Sequence, residues 1–316
     1  MSGRNEKLIS RRRIRLDRTA SRIWAVFRGI LILGISFIII YPILNQLSLS
    51  FMTARDLYDA TVRFIPREVT YENFVIAFNR MNYLRALINT FLVSSLLGLL
   101  QLLSSLIIGY GFARFQFKGS NILFALVILS LLIPPSLIML PLFLNFRFFT
   151  AFGILPEPGI NLIGSSWPLV LLALTGTARR NGLFIFIVRQ YFKGMSENLE
   201  EAAYVDGAGP LKTFFMIMMP NAVPILIIIF LFSFVWQWND LFYSHLFLRG
   251  SSLLSLNLQR MTSAYFQQGV EPFIDGAHMA NVSNAAILMY IIPLLGLYAL
   301  LQSYFVESIE KTGIIG

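Results

Sequence analysis

The sequence predicts an all-α integral membrane protein with six transmembrane helices and a helical loop on the cytoplasmic side. Three observations predict it. The 316 residues are 56% hydrophobic and 13% charged, with a mean hydropathy of +0.69, about half the ~25% charge of an ordinary soluble domain. Apolar runs longer than about 18 residues recur along the chain, and each is long enough to cross a bilayer. Nine of the 25 Lys and Arg lie within residues 1–28, directly before the first apolar run, as the positive-inside rule requires of a cytoplasmic N-terminus. A net charge of +9 also suits a nucleic-acid binder, but no basic stripe occurs elsewhere, so membrane lipid is expected as a partner and nucleic acid is not.

Residues 1–23 read as a basic cytoplasmic arm and 24–316 as a six-span domain. The first span covers about 24–47; it is too long for the apolar core of a signal peptide and no small-residue cleavage site follows, so it reads as uncleaved. The polar stretch after it reads as an extracytoplasmic loop with short helices. The second span, about 84–112, places Thr90, Ser94, Gly98, Gln101, Ser105 and Gly109 on one face, suited to close helix packing or, less simply, to a polar pathway. The third, about 120–144, holds Pro134, Pro135 and Pro141, which are tolerated where neighbouring groups satisfy the freed backbone; it reads as an interior, kinked span. The fourth, within 165–192, is interrupted by Gly176, Arg179 and Arg180. Either it is a broken helix with the arginines in a watery vestibule, or its first half lies along the surface and the crossing starts near Arg180. The fifth covers about 221–241 and the sixth about 284–306. An even count returns the C-terminus to the cytoplasm, with 15 Lys and Arg inside and 10 outside.

Reactive chemistry is sparse. The chain has no cysteine and two histidines, which excludes disulfides and Cys-based metal sites; no metal or cofactor is expected. The spans carry no paired carboxylates and no nucleophile with a base, so an enzyme is disfavoured. An ion-coupled secondary carrier needs ionisable or helix-breaking sites near the midplane; Arg179 and Arg180 alone keep that alternative open.

The stretch 200–220, "EEAAYVDGAGPLKTFFMIMMP", interrupts the apolar pattern. Its "GAGPLKT" is no phosphate loop: that motif puts Lys directly after the last Gly and follows a strand, whereas Pro210 and Leu211 intervene here and the preceding residues read as helix. Ser196 can cap a helix starting at Glu197, whose glutamates Glu197, Glu200 and Glu201 complement the dipole. Gly207 suits its left-handed end and Pro210 the first turn of the next helix. Capping explains those residues; a small apolar face held in water at Leu199, Ala202 and Ala203 suits a docking surface for another protein.

The spacing Glu201-Ala202-Ala203, Gly207, Ile217, Pro220 resembles the EAA loop of ABC-importer permeases, with Met219 in place of the usual leucine. "LINTFLVSSLLG", "YGFARFQFKG", "IPPSLIMLPLF", "FVWQWNDLF" and the tail "LQSYFVESIEKTGIIG" are similar to the carbohydrate branch of that family, the smaller maltose-type partner in particular. The tail departs from the usual ending at "VESIEK", and the 153–182 region is longer than usual. The resemblance implies a multi-pass component of the bacterial plasma (inner) membrane that forms the pathway with a second permease. An extracytoplasmic binding protein would deliver a sugar or oligosaccharide, and two ATPase subunits would drive transport; the chain itself would be non-catalytic. It implies ATPase coupling for Glu200, Glu201, Ala202, Ala203, Asp206, Gly207, Ile217 and Pro220, such that Gly207→Pro or Ala203→Arg stops uptake. Trp236, Trp238, Asn239 and Asp240 are candidates for contact with the sugar or its binding protein, since aromatic faces suit sugar rings and amides suit hydroxyls; for the tryptophans an interfacial aromatic belt is the plainer reading. The outer segment 243–282 is a candidate contact for the binding protein.

Overall fold

The computed structural model describes residues 2–151, 153–267 and 276–313, and the described residues are helical throughout, apart from loops and a single β-bridge between Phe149 and Ile160. The chain divides into two compact units, Met1–Val75 with Glu271–Leu288, and Ile76–Val270 with Met289–Gly316.

In the first unit, helix α1 (Ser2–Ser50) runs without interruption from the basic arm through the first apolar run. Two short helices follow, α2 (Ala54–Tyr58) and α3 (Glu72–Arg80). Thr53 caps α2 through the Asp56 amide. The end of α1 is pinned by two buried asparagines: Asn73 Nδ2 donates to the Ser50 and Met52 carbonyls at 2.9 Å each, and Asn281 Nδ2 donates to Met52 at 2.8 Å. These bonds satisfy carbonyls left open where the helix stops.

The second unit is built around α4 (Tyr83–Arg114). Its face of Thr90, Ser94, Gly98, Gln101, Ser105 and Gly109 is buried throughout. A Cβ on Gly109 would stand 2.6 Å from Val188, so the glycine is what lets the next long helix approach. After the left-handed Gly119 come α5 (Ser120–Leu132) and α6 (Pro135–Arg147), which meet at 104° across Ile133–Pro134. The expected kink is therefore a sharp bend. The expected interior position is not observed, because α5 buries no residue in this chain and α6 only Phe146.

Helix α7 (Trp167–Leu174) and helix α8 (Asn181–Gly194) occupy the fourth apolar region. Neither reaches the roughly 20 residues of a crossing, and left-handed Gly176 and Arg180 lie between them, so the interruption expected at these residues is present. Helix α9 (Asn198–Val205) and helix α10 (Pro210–Thr213) form an elbow; α10 continues through a π-helical turn (Phe214–Met218) and α11 (Met219–Asn221). A 75° bend then leads into α12 (Val223–Trp238). Helix α13 (Phe242–Phe247), α14 (Leu254–Gln267) and α15 (Gly276–Gly313) complete the chain. Among the described residues three helices are long and apolar enough to cross alone, at Ile23–Ser50, Tyr83–Arg114 and His278–Gln302, and the bent pairs α5–α6 and α10/11–α12 bring the number to five.

Among the described residues two apolar clusters hold this unit. One joins Leu97, Leu169, Leu172, Phe146, Phe247 and Leu256; the other joins Leu106, Tyr110, Phe184, Phe192, Phe214 and Ile229. The first end of α4 is tied down by polar bonds. Thr90 Oγ1 accepts from the Leu254 amide at 2.8 Å, Asn257 Nδ2 donates to the Met81 carbonyl at 2.6 Å, and Asn89 Nδ2 to Ser252 at 3.1 Å.

Candidate functional site

Two features stand out, an elbow at one end of the second unit and a polar cavity about 20 Å along its helices. Helix α9 starts one residue later than the sequence implies, at Asn198, with Ser196 Oγ accepting from the Asn198 amide at 3.3 Å. It closes with paired bonds, the Gly207 amide to Tyr204 at 3.0 Å and the Ala208 amide to Ala203 at 2.9 Å, the pattern of a helix ended by a left-handed residue. Gly207 supplies that residue at φ 78°. Gly209 then caps α10, and Pro210 fills its first turn.

The elbow has two sides. Turned inward are Ala203, 2% exposed, and Glu200. The Tyr110 hydroxyl donates to Glu200 Oε1 at 3.0 Å, and Arg114 Nε lies 3.4 Å from the same oxygen. Side-chain exposures of 7% for Arg114 and 12% for Glu200 make this a buried pair. Arg114 also donates to the Met195 carbonyl at 3.0 Å, closing the turn before α9. Turned outward are Glu201, Ala202, Asp206 and Gly207, together with Val205 at 88% and Leu211 at 75% exposure. Ile217 is half-buried in the π-turn and Pro220 is exposed on α11. The sequence reading treated the eight residues as one group. It missed Tyr110, Arg114, Val205 and Leu211. A helical wheel separates Glu200 and Ala203, three apart on one face, from Glu201 and Val205, four apart on the other; the pairing of Glu200 with α4 has no sequence signal.

The cavity, about 180 Å³, lies where α4, α12 and the α7–α8 break converge, with Gln101, Arg179, Arg180, Trp236, Asn239 and Asp240 in its wall. Gln101 sits about 20 Å along α4 from Arg114, and Arg180 and Trp236 lie about 20 Å from the elbow-side ends of α8 and α12, at ~1.5 Å per residue. Ser233 donates to Gln101 Oε1 at 2.6 Å, and Asn181 Nδ2 donates to Ser104 at 3.1 Å and Ser105 at 3.0 Å. The α4 face thus packs closely and also carries hydrogen bonds into the cavity wall. Arg179 Nη1 donates to Asp240 Oδ1 at 3.3 Å, and the other Asp240 oxygen accepts from the Ser244 amide at 2.8 Å. The Arg180 guanidinium lies over the Trp236 ring at 4.0 Å.

Of the four residues singled out for solute contact, Trp236, Asn239 and Asp240 line this cavity. Trp238 does not; it is 1% exposed and packs against Phe234 and Tyr290. Of the outer segment 243–282, residues 268–275 lie outside the described residues, while α13 and α14 fall within it.

Apolar helices long enough to cross a bilayer, a polar cavity between them and an exposed helical elbow suit a membrane permease. A family model for "Binding-protein-dependent transport system inner membrane component" matches residues 101–311, and the chain belongs to this family. Such a component is the non-catalytic permease of an ABC importer and works with an ATPase and a solute-binding protein carried on other chains; membership sets aside the ion-coupled carrier. Among its relatives is the arabinooligosaccharides transport system permease protein AraQ of Halalkalibacterium halodurans, 28% identical over 286 residues, 89% of this chain and 93% of the relative. The melibiose/raffinose/stachyose import permease protein MelC of Bacillus subtilis is 28% identical over 252 residues, 79% of this chain and 83% of the relative. The diacetylchitobiose uptake system permease protein NgcG of Streptomyces coelicolor is 28% identical, covering 92% of this chain and 88% of that one. In fold the chain is similar to a component of a bacterial ABC transporter involved in the import of the acidic polysaccharide alginate, with a TM-score of 0.69, 22% identity, and coverage of 90% of this chain and 98% of that one.

Proposed function

We propose that this chain pairs with a second permease to form the pathway of an oligosaccharide importer, with both termini in the cytoplasm, and that the α9–α10 elbow is where an ATPase grips it. The observation that carries the reading is the two-sided elbow. Glu200 and Ala203 root it in the permease, while Glu201, Ala202, Asp206 and Gly207 face water beside bare Val205 and Leu211. Apolar side chains exposed next to acidic ones suit a protein partner whose cleft buries the former and pairs with the latter. The relatives' oligosaccharide substrates support the solute class. The Trp236 ring with the amides of Gln101 and Asn239 suits a sugar face and its hydroxyls.

The Glu200–Arg114 pair is the mechanical link in this reading. An ATPase that moves the elbow pulls on the end of α4 through a buried charge pair and the Tyr110–Glu200 hydrogen bond beside it, so two packings of one rigid element switch the pathway.

Because the chain has no native cysteine, one introduced thiol reports position without background. Ala202→Cys is expected to cross-link to the ATPase in the assembled transporter, whereas Leu174→Cys, at the end of α7 far from the elbow in sequence, is expected not to. Absence of cross-linking from Ala202→Cys and from Val205→Cys alike would refute the docking assignment.

A further inference from the structure

The two arginines at the α7–α8 break are not equivalent. Arg179 has a carboxylate: Asp240 lies at 3.3 Å and is itself held by the amide and hydroxyl of Ser244. That pair is internally neutral. Arg180 has no carboxylate within ion-pair distance among the described residues, and its guanidinium rests only on the Trp236 ring. It therefore carries a net positive charge and five N–H donors into a cavity about 20 Å from the elbow end of the helices. Arg180 is exposed in this chain, so its charge is open to whatever enters the cavity. The aromatic face holds the guanidinium's plane but accepts none of its in-plane hydrogen bonds.

Arg180 also lines a second, larger space of about 690 Å³, whose other walls include apolar Leu123, Val127 and Ile138 along with Thr175 and Thr177. The cation thus stands at the junction of a small polar cavity and a roomier one. A neutral sugar is served by the amides and hydroxyls of Gln101, Ser233 and Asn239 and by the face of Trp236. It gains nothing particular from an unpaired arginine, and leaves the charge uncompensated when it displaces water. An acidic sugar neutralises it through charge-assisted bonds in a fork geometry suited to a carboxylate.

We infer that this cavity is an anion subsite and that the solute is an acidic oligosaccharide, its carboxylate passing against Arg180. The inference rests on the oligosaccharide-importer reading above and narrows it. It concerns the pathway itself, and so differs from any selection made by the binding protein.

The test is uptake by the native host from a defined mixture of neutral malto-, xylo- and arabino-oligosaccharides with acidic oligogalacturonides and oligoalginates. Depletion of each from the medium is followed by anion-exchange chromatography, with and without the gene for this chain. The expected result is loss of uptake in the acidic fraction alone. Restoring the gene with Arg180→Gln is expected to return less than about a tenth of that uptake, the loss of one charge-assisted bond, and Arg180→Lys most of it. Co-purification of each variant with its ATPase separates transport loss from failed assembly. If the deletion removes a neutral fraction only, or if Arg180→Gln transports the acidic fraction at the normal rate, the inference is overturned while the importer reading stands. If deletion changes no oligosaccharide's uptake, the importer reading falls and the inference with it.

Discussion

Single residues set what the elbow can tolerate. Gly207 sits at φ 78°, where proline, fixed near −65°, cannot go. Gly207→Pro is expected to abolish uptake while the chain still inserts; Gly207→Ala should cost about 1 kcal/mol locally and leave partial transport, read as uptake by membrane vesicles. Glu200 and Glu201 are neighbours in sequence and opposites in space. Glu200→Ala leaves Arg114 buried without its partner, a loss of about 3–5 kcal/mol that should lower the melting temperature of the detergent-solubilised chain. Glu201→Ala, on the water side, should stay within about 0.5 kcal/mol. Equal melting of the two variants would contradict the buried pair. The sequence reading grouped both glutamates, although the motif spacing begins at Glu201, and could not tell them apart, because the difference depends on Arg114, 86 positions away along the chain and supplied by another helix.

At the scale of elements, α4 was the most legible. Its polar and small residues at helical spacing named the buried face, and Gly109 explains why that face must be small. Gly109→Ala should destabilise the solubilised chain by about 1–3 kcal/mol through overpacking against Val188. Gly111→Ala, two positions on with open space around it, should be neutral or slightly stabilising. Thermal unfolding of the two variants in one detergent checks the contrast. At α5–α6 the expected kink is present, although the pair buries almost nothing within this chain. Prolines mark where a helix breaks, but not how sharply, and an apolar segment reads the same whether it faces its own chain or another surface. The α7–α8 break was left open between two readings for a related reason. Gly176 and the paired arginines signalled an interruption, yet only the convergence of Asp240 and Trp236 on those arginines explains why charge is placed there.

At the scale of the whole molecule, an exposed elbow stands at one end of α4 and a charged cavity near its middle. Composition and the basic arm made the membrane class legible, and the elbow spacing made the family legible. The charge distribution predicts the orientation: a reporter fused after Gly316 is expected to face the cytoplasm, and an extracytoplasmic reporter would overturn the six-span reading. The central claim, that the exposed face of the elbow is what an ATPase holds, is tested most directly by co-purification. With Val205→Asp and Leu211→Asp together, the chain should reach the membrane in normal amount, and the ATPase recovered with it should fall at least tenfold, since two exposed apolar anchors of about 1 kcal/mol or more each are lost. Full recovery of the ATPase with the doubly substituted chain would contradict the account.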